Sequence, residues 1–273
     1  MSTGGAAASR ARQTRDLVLA AGVLDDPVGA SLGGPHAHLA RRAGRVRLYD
    51  DEVATFAAMP ADAGPEDWAG LATLVGPGGL ADLFSSPVAP PEGWAPVFTL
   101  EGLQLVGDDL RVPGAGGAEV VELGPADVPA MLDLVARTRP GPFWRRTPEM
   151  GTYLGVRDGG VLVAMAGERL HPPGWAEVSA VCTAPEARGR GLAGALVAEV
   201  AARIRARGEQ PFLHVAADNT AAIRLYDALG FRVRRSVAFR GFRVPPAAWR
   251  EARARQLAAP VAVETRSATT MDR

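Results

Sequence analysis

One segment constrains this chain more than any other: Arg188-Gly189-Arg190-Gly191-Leu192-Ala193. Before it runs Trp175 to Thr183, which reads as a strand, and after it Leu192, Leu196, Val200 and Ile204 recur every four residues. That recurrence predicts an amphipathic helix from Gly191 to Arg207, closed by Gly208. Glycines at such a junction let the backbone approach a bulky anion, and the free N–H groups of the helix's first turn point at it. Arg188 and Arg190 add positive charge. The combination suits a pyrophosphate.

The spacing Gly189, Gly191, Gly194 also matches the dinucleotide fingerprint G-x-G-x-x-G. That fingerprint belongs in the first βαβ unit, with an acidic residue ending the next strand. Here the loop lies deep in the chain, behind a hairpin of Thr152 to Val156 and Val161 to Leu170 turned by Arg157-Asp158-Gly159-Gly160. An acid, Asp218, does follow the next strand, Pro211 to Ala216, so dinucleotide binding stands as a rival reading. Beyond it come Asn219, then a helix carrying Ala221-Ala222-Ile223-Arg224-Leu225-Tyr226, then Leu229-Gly230-Phe231.

With both segments in order, residues 119–245 resemble the GNAT superfamily of acyl-CoA-dependent N-acyltransferases. Arg188, Gly191 and Ala193 fill the family's loop pattern, and Asn219, Tyr226 and Gly230-Phe231 fill its second signature. Gly151-Thr152-Tyr153 and Ala164 to Arg169 are similar to the glycine N-acyltransferase-like branch, in which a GNAT domain follows a degenerate half. The resemblance implies an α+β fold with a central mixed sheet flanked by helices. It implies acetyl-CoA as co-substrate and the primary amine of a small molecule or peptide as acceptor. Val181, Cys182 and Thr183 would pair with the pantetheine arm. Backbone groups of Arg188, Gly189, Arg190, Gly191, Leu192, Ala193 and Gly194 would hold the pyrophosphate, and Asn219 would bond near the pantetheine or brace the site. Catalysis would fall to Glu177 as base, eleven residues before Arg188, with Glu168 or a water chain as its rivals, and to Tyr226 as the acid for the departing thiolate. A backbone N–H near Val181 would meet the oxyanion. The rival reading in this frame is a non-catalytic acyl-CoA binder or sensor.

Charge divides the chain. All 30 basic residues are arginines, so lysine chemistry is excluded, and the formal net charge is zero, which speaks against a general grip on nucleic acid. Residues 1–118 hold 8 Arg against 14 acidic residues, and residues 119–273 hold 22 Arg against 16. Together with the turn-rich stretch Gly107 to Gly117, this predicts two units: an N-terminal α/β domain over 15–112 and a second over 118–250, which the resemblance implies is a GNAT domain. Residues 1–14 and 251–273 read as a disordered start and a loose tail. Cys182 is the single cysteine, which points to a cytoplasmic protein, and no apolar run is long enough for a membrane span. Leu17 to Leu24 is too short and too interrupted for a secretory signal.

Other candidates carry less. Cys182 lies in an apolar strand with no histidine set beside it by sequence, against an acyl-cysteine route. His36 and His38 lack a further ligand, so no metal site is expected. Phe143 and Trp144 either line an acceptor pocket or close the core.

Overall fold

The computed structural model describes residues 22–107, 110 and 119–258. A small antiparallel sheet comes first, from β1 (Ala40–Ala43), β2 (Val46–Tyr49) and β3 (Ala57–Ala58). β4 (Leu80–Phe84) and β5 (Ala95–Val106) follow, then β6 (Val120–Leu123), β7 (Tyr153–Asp158) and β8 (Val161–Glu168). β9 (Trp175–Thr183), β10 (Gln210–Ala216) and β11 (Arg232–Arg243) complete the strands. Among the described residues the large sheet has the order β4-β11-β5-β10-β9-β8-β7-β6. Only β9 and β10 run parallel in it, so it is the mixed sheet anticipated. The helices are α1 (Pro27–Gly33), α2 (Pro65–Val75), α3 (Val128–Thr138), α4 (Leu192–Ala206), α5 (Thr220–Ala228) and α6 (Pro246–Ala258). No described helix is long and apolar enough to cross a membrane.

Two strands of the N-terminal segment, β4 and β5, do not stay within it. β5 lies between β10 and β11, and β4 pairs with the far side of β11. Strands from both sides of the turn-rich stretch therefore share one sheet. Residues 108, 109 and 111–117 of that stretch, the expected disordered start and most of the expected tail lie outside the described residues, while α6 occupies 246–258.

Alternation along the strands sorts side chains between two faces. Leu213 and Val215 of β10 and Val178 of β9 pack with Leu196, Val197 and Val200 of α4. The α4 stripe Leu192, Leu196, Val200 and Ile204 is at most 4% exposed, as its spacing predicts. Burying each such side chain contributes about 1.5–3 kcal/mol. The opposite face carries Phe212, Phe239 and Phe84, covered by Leu24, Leu32, Tyr49 and Phe56. The N-terminal elements thus form the second cover of the sheet. They join β4 through a bridge between Phe56 and Asp82.

Candidate active site

β9 and β10 pair only at their starts, where Trp175, Ala176 and Glu177 stand beside Gln210, Pro211 and Phe212. Beyond that point no pairing continues, and the strands part. On its other side β9 is bulged: Ala180 and Val181 together oppose Ala166 of β8, and Ala180 takes φ of +52°. A bulge bends its strand and re-aims the residues it carries. Here it steers the Ala180–Cys182 stretch along a cavity of about 1370 Å³ that opens between the parted strands.

One end of the cavity is the glycine-rich loop. Gly189 (φ +79°) and Gly191 (φ +75°) hold left-handed backbone that other residues rarely adopt, and Gly191 is the N-cap of α4 with no side chain to cap it. A Cβ at either would meet nothing within 4 Å, so open space lies over the loop. Leu192, Ala193 and Gly194, the first turn of α4, line the cavity there with Arg139, Arg188 and Arg190. Arg190 donates to Asp158 at 2.6 Å, but both side chains are about half exposed, so solvent screens that pair. Arg188 Nε reaches the Thr183 carbonyl only at 3.4 Å. Thr183, whose Oγ1 is buried and has no hydrogen-bond partner among the described residues, lines the cavity with Val181 and Cys182. An arginine-flanked helix start and an unpaired hydroxyl along the same trough fit an anionic ligand with a polar arm.

Glu177, the expected base, is otherwise engaged. It is fully buried, off the cavity wall, and accepts from Arg169 Nε at 2.8 Å, Arg169 Nη2 at 2.7 Å, the Leu170 N–H at 3.2 Å and His214 Nδ1 at 2.6 Å. Burial alone would raise its carboxyl; the Arg169 guanidinium and the His214 ring outweigh that and hold it well below the carboxylate range. A carboxylate so held has little capacity to take a proton near neutrality. The proton positions follow from the partners. Arg234 donates to Gln104 Oε1 at 2.7 Å, so Gln104 Nε2 is a donor, and it gives to the Leu24 carbonyl (2.9 Å) and to His214 Nε2 (3.1 Å). His214 therefore carries its proton on Nδ1, towards Glu177. Burial keeps His214 below its ordinary pKa, hence neutral. Arg169 is held between aromatic faces, 5.1 Å from the Phe56 centroid and 4.7 Å from that of Phe84.

Glu168 faces the other way. It stands opposite Val178, hence on the α4 side of the sheet, where Arg207 donates to it at 3.0 Å. Tyr226 lines the cavity from α5, with its ring edge-on to Phe231 and 7% exposure. Burial, and after it the Glu177 charge, push its phenol up to about 12, so it stays protonated. Asn219 also lines the cavity, and its Oδ1 caps α5 by accepting from the Ala222 N–H at 3.1 Å. Burial pushes the Cys182 thiol up, against a nucleophilic role. Phe143 and Trp144 lie in the packed clusters and not on the cavity wall. His36 bridges Met150 O (2.9 Å) and the Tyr49 hydroxyl (2.8 Å) inside the fold.

The far end of the cavity belongs to strands that sequence reasoning did not connect with the site. Phe84 and Asp82 of β4 line it, as do Phe98 and Leu100 of β5 and Phe239 of β11. Asp82 is the only carboxylate among the described residues on the wall. No local motif marks it; the one hint is an isolated acid within the apolar run Leu80 to Phe84.

Comparison with known proteins completes the picture. The family profile described as FR47-like protein matches residues 153–239, the span from β7 into β11. The fold is similar to the crystal structure of a protein described as a GNAT-family acetyltransferase from Novosphingobium aromaticivorans, at 45% identity and a TM-score of 0.72, covering 80% of this chain and 97% of that one. Over 82 residues the chain is 38% identical to mycothiol acetyltransferase of Saccharopolyspora erythraea, covering 30% of this chain and 27% of the relative. Over 83 residues it is 41% identical to the N-alpha-acetyltransferase RimI of Mycobacterium tuberculosis, covering 29% of this chain and 51% of the relative. These matches span about a quarter and about half of the two curated relatives.

Proposed function

This chain belongs to the GNAT family, and from that membership we propose that it transfers an acetyl group from acetyl-CoA to a primary amine by direct attack in a ternary complex. The observation that carries the reading is the single cavity that joins an arginine-flanked helix start to a carboxylate end by way of the gap between β9 and β10. The pyrophosphate would sit on the N–H groups of Gly191 to Gly194, with Arg188 and Arg190 balancing its charge. The pantetheine arm would lie along Val181 to Thr183, where the Thr183 hydroxyl lacks a partner among the described residues. Asn219 would fix the start of α5 and so the place of Tyr226. The bound thioester supplies the electrophilic carbonyl. Tyr226, protonated at neutral pH, would give its proton to the departing sulfur. A backbone N–H near Val181 in the bulge would face the oxyanion. We assign Glu177 to positioning: it sets the His214 tautomer and anchors Arg169.

The test is calorimetric titration with acetyl-CoA, CoA and NAD, followed by thiol release on adding amines. Micromolar binding of acetyl-CoA without binding of NAD supports the reading. Binding of NAD alone would replace it with the dinucleotide alternative. Acetyl-CoA binding with no thiol release from any amine would leave the binder or sensor.

The loop carries its own prediction. Valine at Gly191 must adopt left-handed backbone at a cost of about 1–3 kcal/mol, and its side chain fills the space over the helix start. Gly191→Val is expected to weaken acetyl-CoA at least roughly tenfold, equivalent to about 1.4 kcal/mol, in the same titration.

A further inference from the structure

Asp82 is a buried carboxylate left half-satisfied. It is 4% exposed; Oδ2 accepts from Thr55 Oγ1 at 2.7 Å, and Oδ1 has no hydrogen-bond partner among the described residues. Such a group calls for an explanation, since a buried polar atom without a partner is costly. Strand register places it. Asp82 stands opposite Gly241, and Gly241 opposite Phe98; Phe84 stands opposite Phe239. Directly opposed residues share a face, so the carboxylate and three aromatic rings look into the same end of the cavity. A Cβ on Gly241 would fall 2.2 Å from the Phe98 ring, so glycine there is what admits that ring beside Asp82.

Charge at this end does not balance. Arg169 is matched by Glu177, and His214 is neutral. Among the described residues Asp82 remains as one negative charge with no ion pair of its own, Arg169 being the partner of Glu177. The opposite end of the cavity has arginines and, among the described residues, no carboxylate. The two ends therefore ask for ligands of opposite charge.

We propose that Asp82 receives the ammonium of the acceptor and takes its proton, and that the acceptor is a small primary amine whose apolar or aromatic body rests among Phe56, Phe84, Phe98 and Phe239. The proposal rests on the acyl-transfer reading and supplies its missing base. The ammonium gives one proton to Asp82, and the freed lone pair forms the C–N bond with the thioester carbonyl carbon. The C–S bond breaks with its electron pair on sulfur, and Tyr226 protonates that sulfur. The nitrogen, now carrying one proton too many, returns a proton to the tyrosinate. Asp82 releases its proton to solvent, so the sum is ammonium plus thioester giving amide, thiol and one proton. Burial raises the Asp82 carboxyl to about 6, opposed by the Thr55 hydrogen bond and by Arg169, so at neutral pH it is ionised and close to the range a base needs.

The experiment compares the full chain with Asp82→Asn and Asp82→Glu, using acetyl-CoA with 2-phenylethylamine, ethylamine and glycine. The wild type should favour 2-phenylethylamine over ethylamine and should use glycine poorest, because its carboxylate meets Asp82. Its kcat/KM should rise with pH through about 6. Asp82→Asn should keep acetyl-CoA affinity, which also reports a folded protein, while kcat/KM for the amine falls roughly 10²-fold or more and the limb near pH 6 disappears. Asp82→Glu should restore part of the rate and the limb. An Asp82→Asn enzyme with wild-type rate and pH profile overturns the proposal and leaves acyl transfer standing, as does a preference for glycine. A wild type that binds no acetyl-CoA overturns both.

Discussion

Replacing Glu177 by alanine is expected to destabilise the protein by about 3–5 kcal/mol, because removing one partner of a buried pair leaves the other uncompensated. The side chain of Arg169 is 12% exposed and that of His214 is 1% exposed, so neither can turn to solvent for a replacement. A chain of this size should lose roughly 10 °C in thermal midpoint. Thermal denaturation checks this directly. Glu177→Gln separates anchor from base. If Glu177 positions Arg169 and His214, the glutamine variant loses stability yet keeps a pH limb near 6 in kcat/KM. Loss of that limb with unchanged stability would make Glu177 the base after all.

Tyr226→Phe carries the second large effect, a fall in kcat of roughly 10²-fold with acetyl-CoA affinity nearly unchanged. The ring packs against Phe231 and should do so equally well without its hydroxyl. Steady-state kinetics beside the acetyl-CoA titration provide the check. Unchanged turnover would remove Tyr226 from the mechanism and leave it as an anchor of α5.

Stability should also change with pH in a pattern these buried groups set. His214 is held below its ordinary 6.5, so the unfolded chain takes up its proton first and stability falls as pH drops below that value. Glu177 is held below 4.5, so its contribution is present above that pH and is lost on further acidification. Asp82 has the opposite sign: raised from 3.8 to about 6, its ionised form costs stability above 6, and acidification towards 4 relieves that cost. Asp82→Asn should therefore lose stability more steeply than the wild type between pH 6 and 4, measurable by denaturant unfolding across that range.

The readable part of the site was local. The glycine loop, the α4 stripe and the Asn219-to-Phe231 segment are each contiguous, and their periodicity and turn chemistry survive folding intact. What could not be read there depended on pairing. Glu177 could be placed on a strand, but the partners that fix its charge state, Arg169 and His214, come from β8's exit and from β10. Asp82 reaches the cavity only because β4 pairs with β11, across more than 150 positions of sequence. Charge balance and the turn-rich stretch suggested two units, yet neither reports strand pairing, and β5 took a place inside the large sheet.

That place has a consequence during synthesis. β5 ends at Val106, and neither of its neighbours begins before Gln210. At about 5–20 residues per second, roughly 5–20 s pass between the emergence of the strand and that of its first neighbour. Throughout that interval both its edges are open to pairing with any other chain. Val97, Phe98 and Leu100 stay at least 37% exposed even in the finished fold, so the start of this strand stays apolar towards solvent after assembly as well. The nascent chain, more than the folded protein, is where this architecture depends on protection from aggregation.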